Sequence, residues 1–387
     1  YKQTLTLITA LVGLFLQAQR IDNDGLDRYL DALDDSKQCM VSVAIHFEGK
    51  EVYSRAIGFR NVEEKLSADK YTRYRIGSIS KSFTAVLVMQ MVESGDLRLD
   101  QLLSEFFPEL PNADKINITH LLRHQSGLFN FTNASDYEDY NTSPVSRQSM
   151  LDRIASYPIQ FNPGEKTAYS NANYVLLSYI LEDVSQESYA ILLEQRIAAP
   201  LGLDLTSSGA TIDPTSNEAY SYEKMGEWMK FEETHPTIPM GAGNIVSTPS
   251  DLNVFFHALF AGKLLSPASL EKMVKLEDNF GLGLFSFPYQ DHRAFGHTGG
   301  IDQFRSMSGH FREDGWTVSA ITNGCNIQLN DVMIQLLNAT YGEEVSIPEF
   351  KEDFVYTEEE LRKFEGTYSG SGFPIKITIR KKGLGLE

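Results

Sequence analysis

The chain has 387 residues, 42% hydrophobic and 22% charged, an ordinary globular composition that excludes a disordered, collagen-like or coiled-coil chain. It exceeds the roughly 100–200 residues of one typical domain, so a large core carrying a subdomain or appendage is expected. Acidic residues outnumber basic ones 52 to 34, for a formal net charge of −18; a surface of that sign repels a phosphate backbone, and nucleic acid is not expected as a partner.

In chain order, the first feature is an apolar run over residues 5–16, behind Lys2 and ahead of Gln17-Ala18-Gln19. It is shorter than the roughly 20 residues a bilayer span requires, so no stable membrane span is expected. A basic flank, a short apolar stretch and a small residue at Ala18 read as a signal peptide over residues 1–18, and a periplasmic or secreted location follows. Residues 26–33 have helical spacing. Residues 41–47 and 51–59 alternate and are joined by Glu48-Gly49-Lys50, the pattern of a β-hairpin. Residues 79–92 are almost continuously apolar and stop at Gly95, as a helix buried on all sides does.

A largely helical stretch follows to about residue 270, with helices expected at 118–124, 172–184 and 249–259. Strand character returns at 295–297, 303–311 and 316–322. The expected fold is α+β, with one antiparallel sheet built from N- and C-terminal strands, flanked by helices and interrupted by a large, mostly helical insertion. Beyond Pro348 the composition turns acidic, and Ile375, Ile377 and Ile379 alternate with Lys376, Thr378 and Arg380 like a lone strand. A strand needs partners, so residues 347–387 read as a linker and the start of a C-terminal β extension that docks on the main domain or is cut short at Glu387.

Two cysteines, Cys39 and Cys325, are too few for a disulfide framework or a sulfur-ligated zinc site and read as structural. The chain lacks H-E-x-x-H, G-x-G-x-x-G, a Walker loop and G-x-S-x-G, so no metal or cofactor is expected. S-x-x-K begins at Ser67, Ser78, Ser221 and Ser269. Ser67, Ser221 and Ser269 lie in polar contexts that read as solvated surface, whereas Ser78 opens the buried helix. Three residues on, Lys81 shares its face in the first turn, where the macrodipole disfavours a cation. Burial and dipole together lower a lysine's pKa and make its amine available as a base for the hydroxyl; a lysine whose head snorkels to water is the competing reading.

Tyr169-Ser170-Asn171 is the one Y-x-N among 18 tyrosines. Such a tyrosine can relay a proton, and the amide can contact a substrate and orient Lys81; a turn ahead of a helix is the plainer alternative. His297-Thr298-Gly299-Gly300 lies between strand patterns, where paired glycines permit close approach and Gly300 can offer its N–H to an oxyanion.

Together, in this order, these elements resemble the serine β-lactamase and penicillin-binding protein superfamily, in its class C, carboxypeptidase, D-aminopeptidase and esterase branch. The resemblance covers about residues 25–345 and takes in Ile76-Gly77-Ser78, Leu121-Leu122-Arg123-His124-Gln125-Ser126-Gly127-Leu128, Pro200-Leu201-Gly202-Leu203, Gly241-Ala242-Gly243 and Phe280-Gly281-Leu282-Gly283. It implies a hydrolase domain over residues 19–346. Ser78 would be the acylated nucleophile, Lys81 its proton acceptor, and Tyr169 the proton donor to the leaving group. Asn171 would position the substrate amide, with the N–H groups of Ser78 and Gly300 as oxyanion hole and His297, Thr298 and Gly299 lining the substrate strand.

Where many β-lactamases of this group carry lysine, the chain has His297, which is charged only below about pH 6.5. Lys224-Met225-Gly226 lies in a stretch without strand pattern and is no substitute. The resemblance therefore points to an exported hydrolase of amides or esters, with a D-amino-acid peptide or a similar small molecule as substrate. A β-lactamase and a catalytically silent penicillin-binding sensor domain are the alternatives. Substrate choice is expected to reside in the loops at 129–140 and 213–233. In the implied fold Cys39 and Cys325 fall on neighbouring antiparallel strands, so their thiols can meet; whether they pair, and the oligomeric state, stay open.

Overall fold

The alternating segments from both ends of the chain meet in a six-stranded antiparallel sheet. The computed structural model describes residues 21–350, 357–368, 377–382 and 385–386; the signal-peptide reading of residues 1–18, and Ile375 and Lys376 of the tail, lie outside them. In chain order the main elements are α1 (Asn23–Asp35), β1 (Cys39–Phe47), β2 (Lys50–Ile57), α2 (Ser80–Ser94), α3 (Asn171–Ser185), α4 (Pro249–Phe260), β3 (Phe285–Tyr289), β4 (His292–Ile301), β5 (Phe304–Phe311), β6 (Trp316–Cys325) and α5 (Leu329–Tyr341). The strand order is β3-β4-β5-β6-β1-β2, so β1 from the N-terminal hairpin pairs directly with β6 near the other end of the domain. Glu48 and Gly49, both at positive φ, close that hairpin, as a two-residue turn between twisted strands requires.

Helix α4 packs on β1, β5 and β6, while α5 packs on β5 and β6 and against α1. Asn253 ties α4 to the sheet, donating to the Ala44 carbonyl at 3.0 Å and accepting from Ser319 Oγ at 2.6 Å. Helix α2 is the axis of the helical half: it is buried from Ser80 through Met89 and ends at Gly95, whose φ is +85°. Its Phe83 stacks on Phe255 of α4 at 3.7 Å.

The sheet differs from the sequence reading at its edge. Strand β4 runs well past residues 295–297 on both sides, and β3 was not anticipated, because Pro288 removes a ladder donor and masks the alternation; an edge strand tolerates that loss. Two of the serines expected at the surface are buried. Ser221 accepts the Gln303 N–H at 3.4 Å, and Ser269 lies in the first turn of helix Pro267–Val274 beneath its cap Ser266. Lys224, expected outside any strand, belongs to a hairpin of Tyr222–Met225 with Glu227–Lys230.

Cys39 and Cys325 face each other across β1 and β6 and form a disulfide with Cα atoms 4.0 Å apart. The described residues divide into two compact units, one ending at Ile347 and the other beginning at Pro348. In the second, Gly366–Tyr368 pairs with Ile377–Ile379, so the tail strand is not a lone one. No helix among the described residues is long and apolar enough to cross a membrane.

Two histidines of the sheet are held neutral. Burial lowers the pKa of His46 to about 4, with Glu51 opposing and His257 adding to the shift. Burial, then the neighbouring His257 and Arg312, lowers that of His310 to about 3. The unfolded chain has ordinary imidazoles near 6.5, so between about pH 6.5 and pH 4 it binds more protons than the folded one. Stability from these two groups is present above pH 6.5 and is lost on acidification, at about 1.4 kcal/mol per pH unit for each. Urea unfolding at pH 7.5 and pH 5 should show a clearly lower midpoint at pH 5; equal midpoints would contradict neutral burial.

Candidate active site

Ser78 lies in the short helical turn Gly77–Ile79 that leads into α2. The preceding Tyr74–Arg75 pairs with Ile245–Ser247, and Ser306 Oγ donates to the Ile76 carbonyl at 2.7 Å, so the turn is pinned against β4 and β5. Gly77 has φ +51°, and a Cβ there would come within 2.7 Å of Gly300 N. Glycine is required on both counts.

Lys81 is completely buried. Its Nζ donates to Ser78 Oγ at 3.0 Å, Asn171 Oδ1 at 2.8 Å and the Ala242 carbonyl at 2.7 Å, three uncharged acceptors for three donor positions. Burial drives its pKa well below the ordinary lysine value. A neutral amine needs only two of these acceptors and turns its lone pair toward Ser78. From the other side the Tyr169 hydroxyl donates to Ser78 Oγ at 2.8 Å, and burial raises its pKa, so the phenol keeps its proton. The hydroxyl of Ser78 thus has a base on one side and an acid on the other.

Asn171 opens α3 and is itself held. Asn130 Oδ1 accepts the Asn171 N–H at 2.9 Å and its Nδ2 at 3.2 Å, and Thr132 Oγ1 accepts Nδ2 at 3.2 Å. His124, buried and at φ +58°, accepts the Ser170 N–H at 3.2 Å and lies 4.3 Å from the Tyr169 ring. It fixes the residue between Tyr169 and Asn171. Sequence reading assigned no role to Asn130 or Thr132, for which no local pattern exists; His124 and Ala242 lay within quoted motifs without a stated part.

The two-residue turn Asp302-Gln303 closes β4 onto β5, so Ile301, Gly299 and His297 turn their main-chain groups toward β5. Gly300 therefore points its N–H to the opposite edge, which β3 leaves open because it pairs only as far as Gly296. Arg75, buried, braces this corner: it reaches the Thr234 carbonyl at 2.6 Å, Glu233 at 3.0 Å and Asp302 at 3.3 Å.

His297 is buried. Burial first, then repulsion from Lys81 whenever that amine is protonated, lowers its pKa to about 3, against a hydrogen bond from Nδ1 to the Thr298 carbonyl at 2.5 Å. The expectation of a charge appearing below pH 6.5 is corrected: the ring packs on Phe285 at 4.2 Å and stays neutral across the physiological range. Thr298 is exposed on the strand. A cleft of about 440 Å³ opens over Ser78, Asn171 and Gly300. Phe131, Thr132, Tyr137 and Glu138 from one expected specificity loop and Phe231 from the other line it.

The family model described as Beta-lactamase matches residues 26–332. PbpX of Bacillus subtilis, named for penicillin binding, is 26% identical over 337 residues, covering 83% of this chain and 80% of that protein. A teichoic acid D-alanine hydrolase of Staphylococcus aureus is 26% identical over 68% of this chain and 65% of its own length. Among solved structures, D-amino acid amidase from Ochrobactrum anthropi SV3, complexed with L-phenylalanine amide, superposes with a TM-score of 0.73 at 26% identity, covering 83% of this chain and 99% of that one.

Asn130→Ala leaves the Asn171 N–H and amide without their shared acceptor, at a cost of about 1–3 kcal/mol in local order. We expect kcat/KM on any turned-over substrate to fall at least about tenfold while the fold persists by circular dichroism. Unchanged kinetics would show that Asn171 needs no such support.

Proposed function

The chain belongs to the beta-lactamase family and is a serine hydrolase of that fold, and from this premise we propose that it is exported and cleaves D-aminoacyl esters or amides through an acyl-enzyme on Ser78. The observation that carries the reading is the convergence of a lysine amine and a phenol on the same Ser78 oxygen. Neutral Lys81 takes the Ser78 proton as Oγ attacks the carbonyl carbon. The N–H groups of Ser78 and Gly300 receive the developing oxyanion. Tyr169 gives its proton to the departing oxygen or nitrogen, and the phenolate so formed faces protonated Lys81, which balances its charge. Water then attacks the ester, giving its proton to the Tyr169 phenolate; the bond from the acyl carbon to Ser78 Oγ breaks, and Oγ takes back the proton held by Lys81, which releases the acid and restores the starting state of a pair that titrates as a unit.

The D-aminoacyl part of the proposal draws on the names of the similar hydrolase and amidase. The preference for esters and amides over β-lactams draws on His297, which supplies no positive charge for a carboxylate. Export is supported by the apolar run behind Lys2 and by the Cys39–Cys325 disulfide, since such bonds persist in oxidising compartments.

A D-alanyl ester, a D-phenylalanine amide and nitrocefin, assayed side by side, test the proposal. The ester or amide should be hydrolysed with the higher kcat/KM. Ser78→Ala should remove that turnover and fluorophosphonate labelling by at least about a thousandfold with little change in Tm. Residual turnover above about 1%, or nitrocefin as the sole substrate, would overturn it.

A further inference from the structure

The turn that closes β4 onto β5 is built on a residue its backbone does not favour. Of its two residues Asp302 alone has positive φ, at +52°, a place that two-residue hairpins usually give to glycine. What keeps an aspartate there is the surroundings of its carboxylate. The side chain is only 2% exposed. Its Oδ1 accepts the Thr234 N–H at 2.9 Å and the Thr234 hydroxyl at 2.7 Å, and Oδ2 accepts Arg75 Nη1 at 3.3 Å. These charge-assisted bonds offset the strain of the backbone.

Three pieces of the site meet at that carboxylate. Gly300, two residues before Asp302, lies against the Ser78 turn, where a Cβ at Gly77 would come within 2.7 Å of Gly300 N. Arg75 lies three residues before Ser78, and its other bonds go to the carbonyls of Thr234 and Ala210 and to Glu233. Thr234 belongs to the wall of the cleft, together with Tyr137, Phe231 and Asp302 itself. Tyr137 senses the same charge: burial raises the pKa of its phenol, with the Thr234 hydroxyl opposing and the Asp302 carboxylate adding to the shift. One buried ion pair therefore ties the substrate wall and the oxyanion strand to the turn that carries the nucleophile.

We propose that Asp302 is a positioning residue that holds the Gly300 N–H in place for the oxyanion, and that it does so through Thr234, so that the cleft wall and the oxyanion strand are held by one carboxylate. The proposal rests on the acyl-enzyme reading and adds a residue to it. Asp302 acts through Gly300, not on the reacting atoms. An oxyanion forms when the acyl-enzyme is made and again when water breaks it, so loosening Gly300 slows both steps together. KM, set by binding and by the ratio of those steps, then moves little. Misplacing such a group by about 1 Å costs up to about a hundredfold in rate.

Asp302→Gly is the informative variant, because the turn taken alone favours glycine at φ +52°. Arg75 keeps Glu233 and two carbonyls in that variant, so the fold should persist by circular dichroism. On a D-alanyl ester and on D-phenylalanine amide, kcat should fall at least about tenfold with KM within about twofold of the intact protein. A boronic acid, which becomes tetrahedral on Ser78 Oγ as the oxyanion does, should bind more weakly by a similar factor. Asp302→Asn tolerates positive φ and keeps an oxygen for Thr234, so it should recover part of the rate. Thr234→Val should show the same pattern more weakly, and the double variant should lose no more than Asp302→Gly alone. An unchanged kcat in Asp302→Gly, a loss confined to KM, or full additivity of the two substitutions overturns the proposal. Ser78→Ala, assayed alongside, separates it from its premise. Turnover surviving in Ser78→Ala contradicts the acyl-enzyme itself; turnover lost there but unchanged in Asp302→Gly contradicts the role of Asp302 alone.

Discussion

A primary amine buried among uncharged oxygens is the constraint on which this site depends. Lys81 is wholly inside the protein, and the partners of its Nζ are a hydroxyl, a side-chain amide and a main-chain carbonyl. With a carboxylate at any of those places the amine would stay charged and no proton could leave Ser78 for it. Without them, a buried lysine would have polar hydrogens with no acceptor. The arrangement satisfies hydrogen bonding while withholding the countercharge, and the basicity of Lys81 falls as a result. Tyr169 is displaced in the opposite sense by the same burial. One environment separates the two groups into a base and an acid.

The rest of the fold brings four distant segments to that amine and holds them there. The turn before α2 supplies Ser78, the start of α3 supplies Tyr169 and Asn171, the segment Met240–Ala242 supplies a carbonyl, and β4 supplies Gly300. Two of the four are braced from behind by buried polar side chains: the start of α3 by Asn130 and His124, and β4 by Arg75 through Asp302. Strand β4 can serve on both sides because its outer edge is covered only up to Gly296. Beyond that point the outward N–H of Gly300 has no strand partner, and it borders the cleft over Ser78.

Much of this was legible in the sequence, and the reasons differ by element. Helix α2 stood out because an apolar run ending at glycine has few other readings, and β1 with β2 because alternation and a two-residue turn agree. Ser78 could be chosen among four serines only by its place at the head of a buried helix. Other features were beyond local pattern. Asn130 touches Asn171 across 41 residues of chain, and Arg75 meets Asp302 across 227. Strand β3 was hidden by Pro288. Ser221 looked solvated because its neighbours are polar, yet tertiary packing buries it. His297 shows the deepest limit: its identity was plain, but the burial that keeps it neutral is made by packing over β4 and could not be read from the strand alone.

The protonation state of Lys81 is the quantity that tests this account most directly. Lysine labelled with ¹³C at Cε and ¹⁵N at Nζ, assigned by comparison with Lys81→Arg, reports that state residue by residue as pH is varied. The account predicts that Lys81 shows the shifts of a neutral amine at pH 7.5 and titrates far below the other lysines. An ammonium signature persisting for Lys81 to pH 10 would contradict it, because the proton of Ser78 would then have no acceptor.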